Sequence, residues 1–218
     1  MEVSLGTLWQ TYLARSAKFW ALAQEHLLTL VVLPVVLAAL VSIPLGILAT
    51  RYRWIHVPSM AFANLMQTIP SLALLAILIA LGCGIGNKPA IVALFLYSLL
   101  PILRNTYTGI VNVDSGILEA ARGMGMSAWQ ILTLVELPIA FPVIMAGIRT
   151  AAVICVGLAT LAAFVGGGGL GDFIITGLGM ANNNLTLLGA IPAAAMALML
   201  DWFLGKIEQW LTPRGLRL

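Results

Sequence analysis

Two long stretches without a single formal charge constrain this chain more than anything else in it. Residues 27–49 and residues 57–87 contain no Asp, Glu, Lys or Arg. At 1.5 Å per residue the first makes about 35 Å of helix, enough to cross a hydrocarbon core of roughly 30 Å. Lipid offers no partner to an open backbone, so such stretches fold as membrane helices. Composition agrees, because 61% of the 218 residues are hydrophobic, against roughly 45–50% in a soluble domain. The net charge of +3 is spread over eleven scattered Lys and Arg residues. That pattern fits the loops of a membrane protein better than a nucleic-acid surface.

The expectation is an all-α polytopic protein with five spans, near residues 27–49, 59–81, 89–111, 141–164 and 185–203. Gly82, Gly84 and Gly86 mark a loop after the second. Residues 1–26 carry Arg15, Lys18 and Glu25 beside Trp9, Tyr12 and Trp20, which favours an amphipathic helix lying at the interface over a sixth span. The first apolar run also exceeds the 7–15 residues of a cleavable signal core, so it reads as retained. Pro34, Pro44, Pro70, Pro101, Pro142 and Pro192 fall in or near spans, and kinked helices are expected there.

Basic residues orient the bundle. With the amino terminus outside, Arg51, Arg53, Arg104, Arg122, Arg149, Lys206, Arg214 and Arg217 fall on or near the cytoplasmic side, together with a tail over 209–218. Arg15, Lys18 and Lys88 fall outside, and this asymmetry is what the positive-inside rule requires. Charges near the cytoplasmic side are expected to pair, Arg104 with Asp201 or Arg149 with Asp114, for structural reasons.

The longest polar-containing segment, 112–138, reads NVDSGILEAARGMGMSAWQILTLVELP. It predicts two short helices joined by a turn. Asp114 or Ser115 caps the first, Gly123 and Gly125 allow the left-handed conformation that ends it, and Ser127 with Gln130 forms a capping box for the second, which Pro138 closes. Ala120 and Ala121 permit close approach, while Met124, Met126 and Trp129 offer apolar contact. Pattern alone leaves two readings equally open, a docking elbow or an ordinary loop packed on its own bundle.

Glu119, Ala120, Ala121, Gly125, Val135, Leu137 and Pro138 stand at the spacing of a known motif. They resemble the EAA loop of binding-protein-dependent ABC importer permeases, with Val where Ile is common. The segments QTIPSLALLA, LLPILRNTYTGI, PVIMAGIRTA and GGGGLGDFI are similar to permeases for osmoprotectants such as glycine betaine, carnitine and choline. The methionine importer permease is a more distant likeness. The resemblance covers the chain from about Leu27 onward.

That resemblance implies a type I importer permease core whose elbow, with Glu119, Ala120, Ala121, Gly125, Met126, Trp129, Leu137 and Pro138, seats in a separate cytoplasmic ATPase dimer. It further implies a second permease subunit, either a homodimer copy or a similar paralogue, and an extracytoplasmic substrate-binding protein. The expected setting is the bacterial inner membrane. ATP and Mg would be used by the ATPase and not by this chain, which lacks the G-x-x-x-x-G-K-[ST] phosphate loop. Asn64, Gln67, Asn105 and Tyr107 are the polar candidates for the pathway. An amino acid-like solute is the alternative cargo.

Other signals are weaker. Gly166, Gly168 and Gly171 satisfy G-x-G-x-x-G but follow a membrane helix, so a flexible outer turn is preferred over a gate, and dinucleotide binding is rejected. His26 and His56 read as interfacial residues. Cys83 and Cys155 read as structural thiols. No acid stands near mid-span to serve a proton relay, which counts against an ion-coupled carrier.

Overall fold

The computed structural model describes residues 5–212, so Arg214 and Arg217 lie outside the described residues. Helix α1 (Leu5–Gln24) continues through wide π-type turns at Glu25–Val32 into α2 (Leu33–Arg51). No Gly or Pro stands between Thr7 and Leu33 to stop it. The expected boundary at residue 26 is therefore absent, and the departure from helical geometry falls at Arg15 (φ −128°, ψ 17°). Phe19 is buried in a cluster with Leu170, Phe173, Leu185 and Leu188, which docks α1 onto the rest of the chain, while Trp9 and Trp20 stay exposed.

The second span, expected over 59–81 with a kink near Pro70, is broken outright. Helices α3 (Arg53–Thr68) and α4 (Ser71–Leu78) meet at 103°. Pro70 crowds the preceding residue out of the helical region, and Ile69 is extended (φ −73°, ψ 127°). Helix α5 (Asn87–Val111) holds this break from the side. Pro101 has no N–H, so the Tyr97 carbonyl one turn earlier loses its partner. Gln67 Nε2 donates to that carbonyl at 3.0 Å, and the Tyr97 hydroxyl donates to the Ile69 carbonyl at the break. The prolines elsewhere are absorbed without interruption, with Pro34 in the first turn of α2 and Pro44, Pro101, Pro142 and Pro192 inside continuous helices.

Short helices α6 (Ser115–Gly123) and α7 (Ala128–Ile131) lead through wide turns at Leu132–Glu136 into α8 (Leu137–Ala159). Pro138 is the second residue of α8, and the second elbow helix runs on past it into the fourth span instead of closing there. A 3-10 segment, Thr160–Val165, leads to α9 (Gly171–Gly179), and α10 (Asn183–Leu211) makes the last span. Among the described residues four stretches are long and apolar enough to cross a membrane, and the bent α3–α4 pair makes a fifth.

Helix α5 lies between α2 and α8. Small residues allow it to sit close to both: a Cβ on Gly46 would lie 2.7 Å from Thr106 Cβ, and one on Gly147 would lie 2.7 Å from the Pro101 carbonyl. Toward the end away from the elbow, Leu30, Val31, Leu74, Leu94, Tyr97 and Val156 fill the space between these helices.

Gln67→Leu is expected to lower stability by about 1–3 kcal/mol, since it leaves the Tyr97 carbonyl unpaired. Thermal unfolding in detergent reads this directly. Adding Pro101→Ala, which returns an N–H to that carbonyl, should recover part of the loss.

Candidate functional site

The elbow between the third and fourth spans is built from local rules. Asp114 Oδ1 accepts from the Gly116 and Ile117 N–H groups at 2.8 and 3.1 Å, which fixes the start of α6 and decides between the two expected caps. At its end the Met126 N–H reaches the Ala121 carbonyl at 3.2 Å, and the Gly125 N–H reaches Arg122 O at 2.9 Å. Gly125 has φ +79°, a conformation a side chain would strain. Ser127 and Gln130 then form the reciprocal capping box of α7, at 2.8 and 3.3 Å. Caps on both helices satisfy the free backbone groups, so the elbow keeps its shape.

Its surface is divided. Met124 is 74% exposed and Trp129 71% exposed, and Glu119, Ala120 and Gly125 also face outward. Ala121 is buried and Met126 half-buried. Leu137 and Pro138 are separate from this face: they begin α8, where Leu137 packs against Ile110, Ala140 and Ile144. The expected site residues thus fall into an outward face, with Ala121 buried beneath it, and a half-buried root. At the root, buried Glu136 accepts from Arg51 Nη2 at the end of α2. Sequence reasoning missed this pair. Its one signal was an acid at the mouth of an apolar span, which requires a cation nearby.

The four polar candidates are not gathered in one place. Asn64 accepts from Arg104 Nη2 at 3.1 Å, Gln67 serves the Tyr97 carbonyl, and Tyr107 stacks on His56 with centroids 4.1 Å apart, all along the α3–α5 seam. Asn105 instead donates to the Pro101 carbonyl at 2.8 Å, with its Cβ facing Gly147 of α8.

Charge pairing also differs from expectation. Arg149 Nε and Nη2 donate to the two oxygens of Asp201 at 3.0 Å each, and Nη1 donates to Glu208 at 3.0 Å. Asp201 and Glu208 are seven residues apart and share a face of α10, while Gly205 between them leaves room for the guanidinium. Asp114 instead caps α6 through Oδ1.

At the opposite end the glycine turn is held firmly, contrary to the flexible turn expected. Gly168 N–H donates to Asn87 Oδ1 at 2.9 Å, Gly169 N–H to Glu25 Oε2 at 3.2 Å, and Leu170 N–H to His26 Nδ1 at 3.2 Å. Asn87 Nδ2 donates to Glu25 Oε1 at 2.6 Å, and His26 Nε2 lies 3.1 Å from the Val156 carbonyl. His26 is fully buried within the protein, and these bonds replace water at both ring nitrogens.

Residues 42–213, from the middle of the first span through the elbow to the end of the last, match the family of binding-protein-dependent transport system inner membrane components. The chain belongs to this family. It is 48% identical over 193 residues to a glycine betaine/carnitine/choline transport system permease of Bacillus subtilis, a match covering 88% of each chain. It is 49% identical over 180 residues to a carnitine transport permease of Listeria monocytogenes, covering 82% of this chain and 80% of the relative. It is 43% identical over 210 residues to an osmoprotectant import permease of Salmonella typhimurium, covering 94% and 98%. Among solved structures, a chain of the MetNI methionine ABC transporter in an inward-facing conformation superposes with a TM-score of 0.76 at 21% identity, over 97% of this chain and 100% of that one. That likeness shows that the two chains share a fold.

Removing a cap tests whether the elbow is rigid. Asp114→Ala or Ser127→Ala should each cost about 1 kcal/mol locally. Amide hydrogen exchange should then accelerate over residues 115–131, with α5 unchanged.

Proposed function

We propose that this permease carries quaternary-ammonium osmoprotectants, of the glycine betaine, carnitine and choline class, inward across the bacterial cytoplasmic membrane. The observation that carries the reading is the elbow, two capped helices presenting Glu119, Ala120, Met124 and Trp129 to whatever lies beneath the bundle. The relatives named for these solutes support the cargo.

The chain itself has no catalytic role in this reading. ATP, with Mg, is consumed by a pair of cytoplasmic ATPase subunits, and the elbow is the rigid contact through which their closing and opening reaches the spans. A floppy loop would dissipate that displacement. A second permease subunit, identical or closely similar, completes the pathway about a two-fold axis, since five spans do not enclose and seal one alone. An extracytoplasmic binding protein selects the solute and delivers it to the end bearing Glu25, Asn87 and the glycine turn. The amino terminus is then outside and the elbow inside, with Arg51 and Arg122 near the cytoplasmic face and Lys18 and Lys88 at the other end.

Proteoliposomes holding the permease, its ATPase and its binding protein should take up labelled glycine betaine, carnitine or choline only when ATP is hydrolysed. Glu119→Lys, which reverses the charge on the docking face, and Gly125→Pro, whose ring cannot adopt φ +79°, should each abolish uptake while the protein still inserts. Uptake that follows an ion gradient without ATP would instead make the chain a carrier.

A further inference from the structure

We propose that Arg51 and Glu136 form a strut that carries displacement of the elbow into the first span and the hinge behind it. The inference rests on the reading of the elbow as the ATPase contact. Glu136 is 2% exposed, the only buried carboxylate among the described residues. It is the last residue of the wide turns at Leu132–Glu136 that join the elbow to α8. Its partner, Arg51, is the last residue of α2.

The next residue gives the contact its mechanical meaning. Tyr52 is extended (φ −128°, ψ 109°) and separates α2 from α3, the first half of the broken span. A push arriving at Glu136 therefore meets a hinge one residue beyond its partner. Among the described residues no other ion pair joins the segment 112–136 to the first span. Stability alone is a weak account of the pair, since Glu136 is buried but the Arg51 side chain is 43% exposed, and an ion pair open to solvent contributes little. A directional charge contact, by contrast, keeps α2 in register with the root of α8 as that root moves.

The deciding quantity is the number of solute molecules imported per ATP hydrolysed, measured in proteoliposomes on complexes purified through the permease. Arg51→Gln and Glu136→Gln should each lower this ratio about fivefold or more, the scale of an ordinary coupling free energy. The double variant should lose no more than either single one, and Arg51→Lys, which keeps the charge, should retain most of the ratio. Arg51→Met with Glu136→Met guards against misfolding: it should unfold at or above the normal temperature yet remain uncoupled. A normal ratio in that variant would mean that the pair merely packs the helices, and would overturn the strut. Additive losses from the two Gln substitutions would also overturn it, since they would place the residues on separate routes. If the unaltered complex showed no ATP-driven uptake, the reading of the elbow would fall first, and the strut with it.

Discussion

A backbone in hydrocarbon has no water to bond with, and the rest of this structure depends on that fact. Each departure from helix must bring its own partners. At the Ile69–Pro70 break the partners come from α5, through Gln67, the carbonyl left free by Pro101, and the Tyr97 hydroxyl. At the glycine turn they come from Glu25, His26 and Asn87, contributed by two other helical segments. Both irregular places are thereby tied to helices distant in sequence, and neither is a passive linker.

The elbow is the contrasting case. It lies outside the spans and satisfies its free groups with its own side chains, Asp114, Ser127 and Gln130, so it needs little support from the bundle. This leaves its outer face free. Met124 and Trp129 are more exposed than apolar side chains in a finished fold need to be, while Leu137 and Glu136 anchor the root. In the proposed coupling role, this open face would receive displacement and the root would pass it to the spans.

The elbow was legible from sequence because helix caps and left-handed glycines are local rules, read from residues three or four apart. The broken second span was only half legible: Pro70 announced a disturbance, but a proline does not say whether a helix bends or breaks. Pro44, Pro101, Pro142 and Pro192 stay within their helices, and only packing distinguishes them from Pro70. The partners of the polar candidates were illegible for a related reason. Gln67 serves the Tyr97 carbonyl because Pro101 has left it open, and nothing in a single sequence shows which carbonyl a distant proline frees.

Charge partners were the least legible feature. Arg149 was bound to need an acid, yet the choice of Asp201 and Glu208 over Asp114 depended on which helices became neighbours and which of their faces met. The sequence by itself determined that the chain lives in lipid, roughly where it crosses, and that a capped elbow separates its third and fourth spans, because hydropathy and capping act over a few residues. Only the tertiary structure decided that Arg51 meets Glu136, that His26 is buried under the glycine turn, and that the second span is broken. Those outcomes depend on contacts between residues tens to more than a hundred positions apart, and no local pattern encodes them.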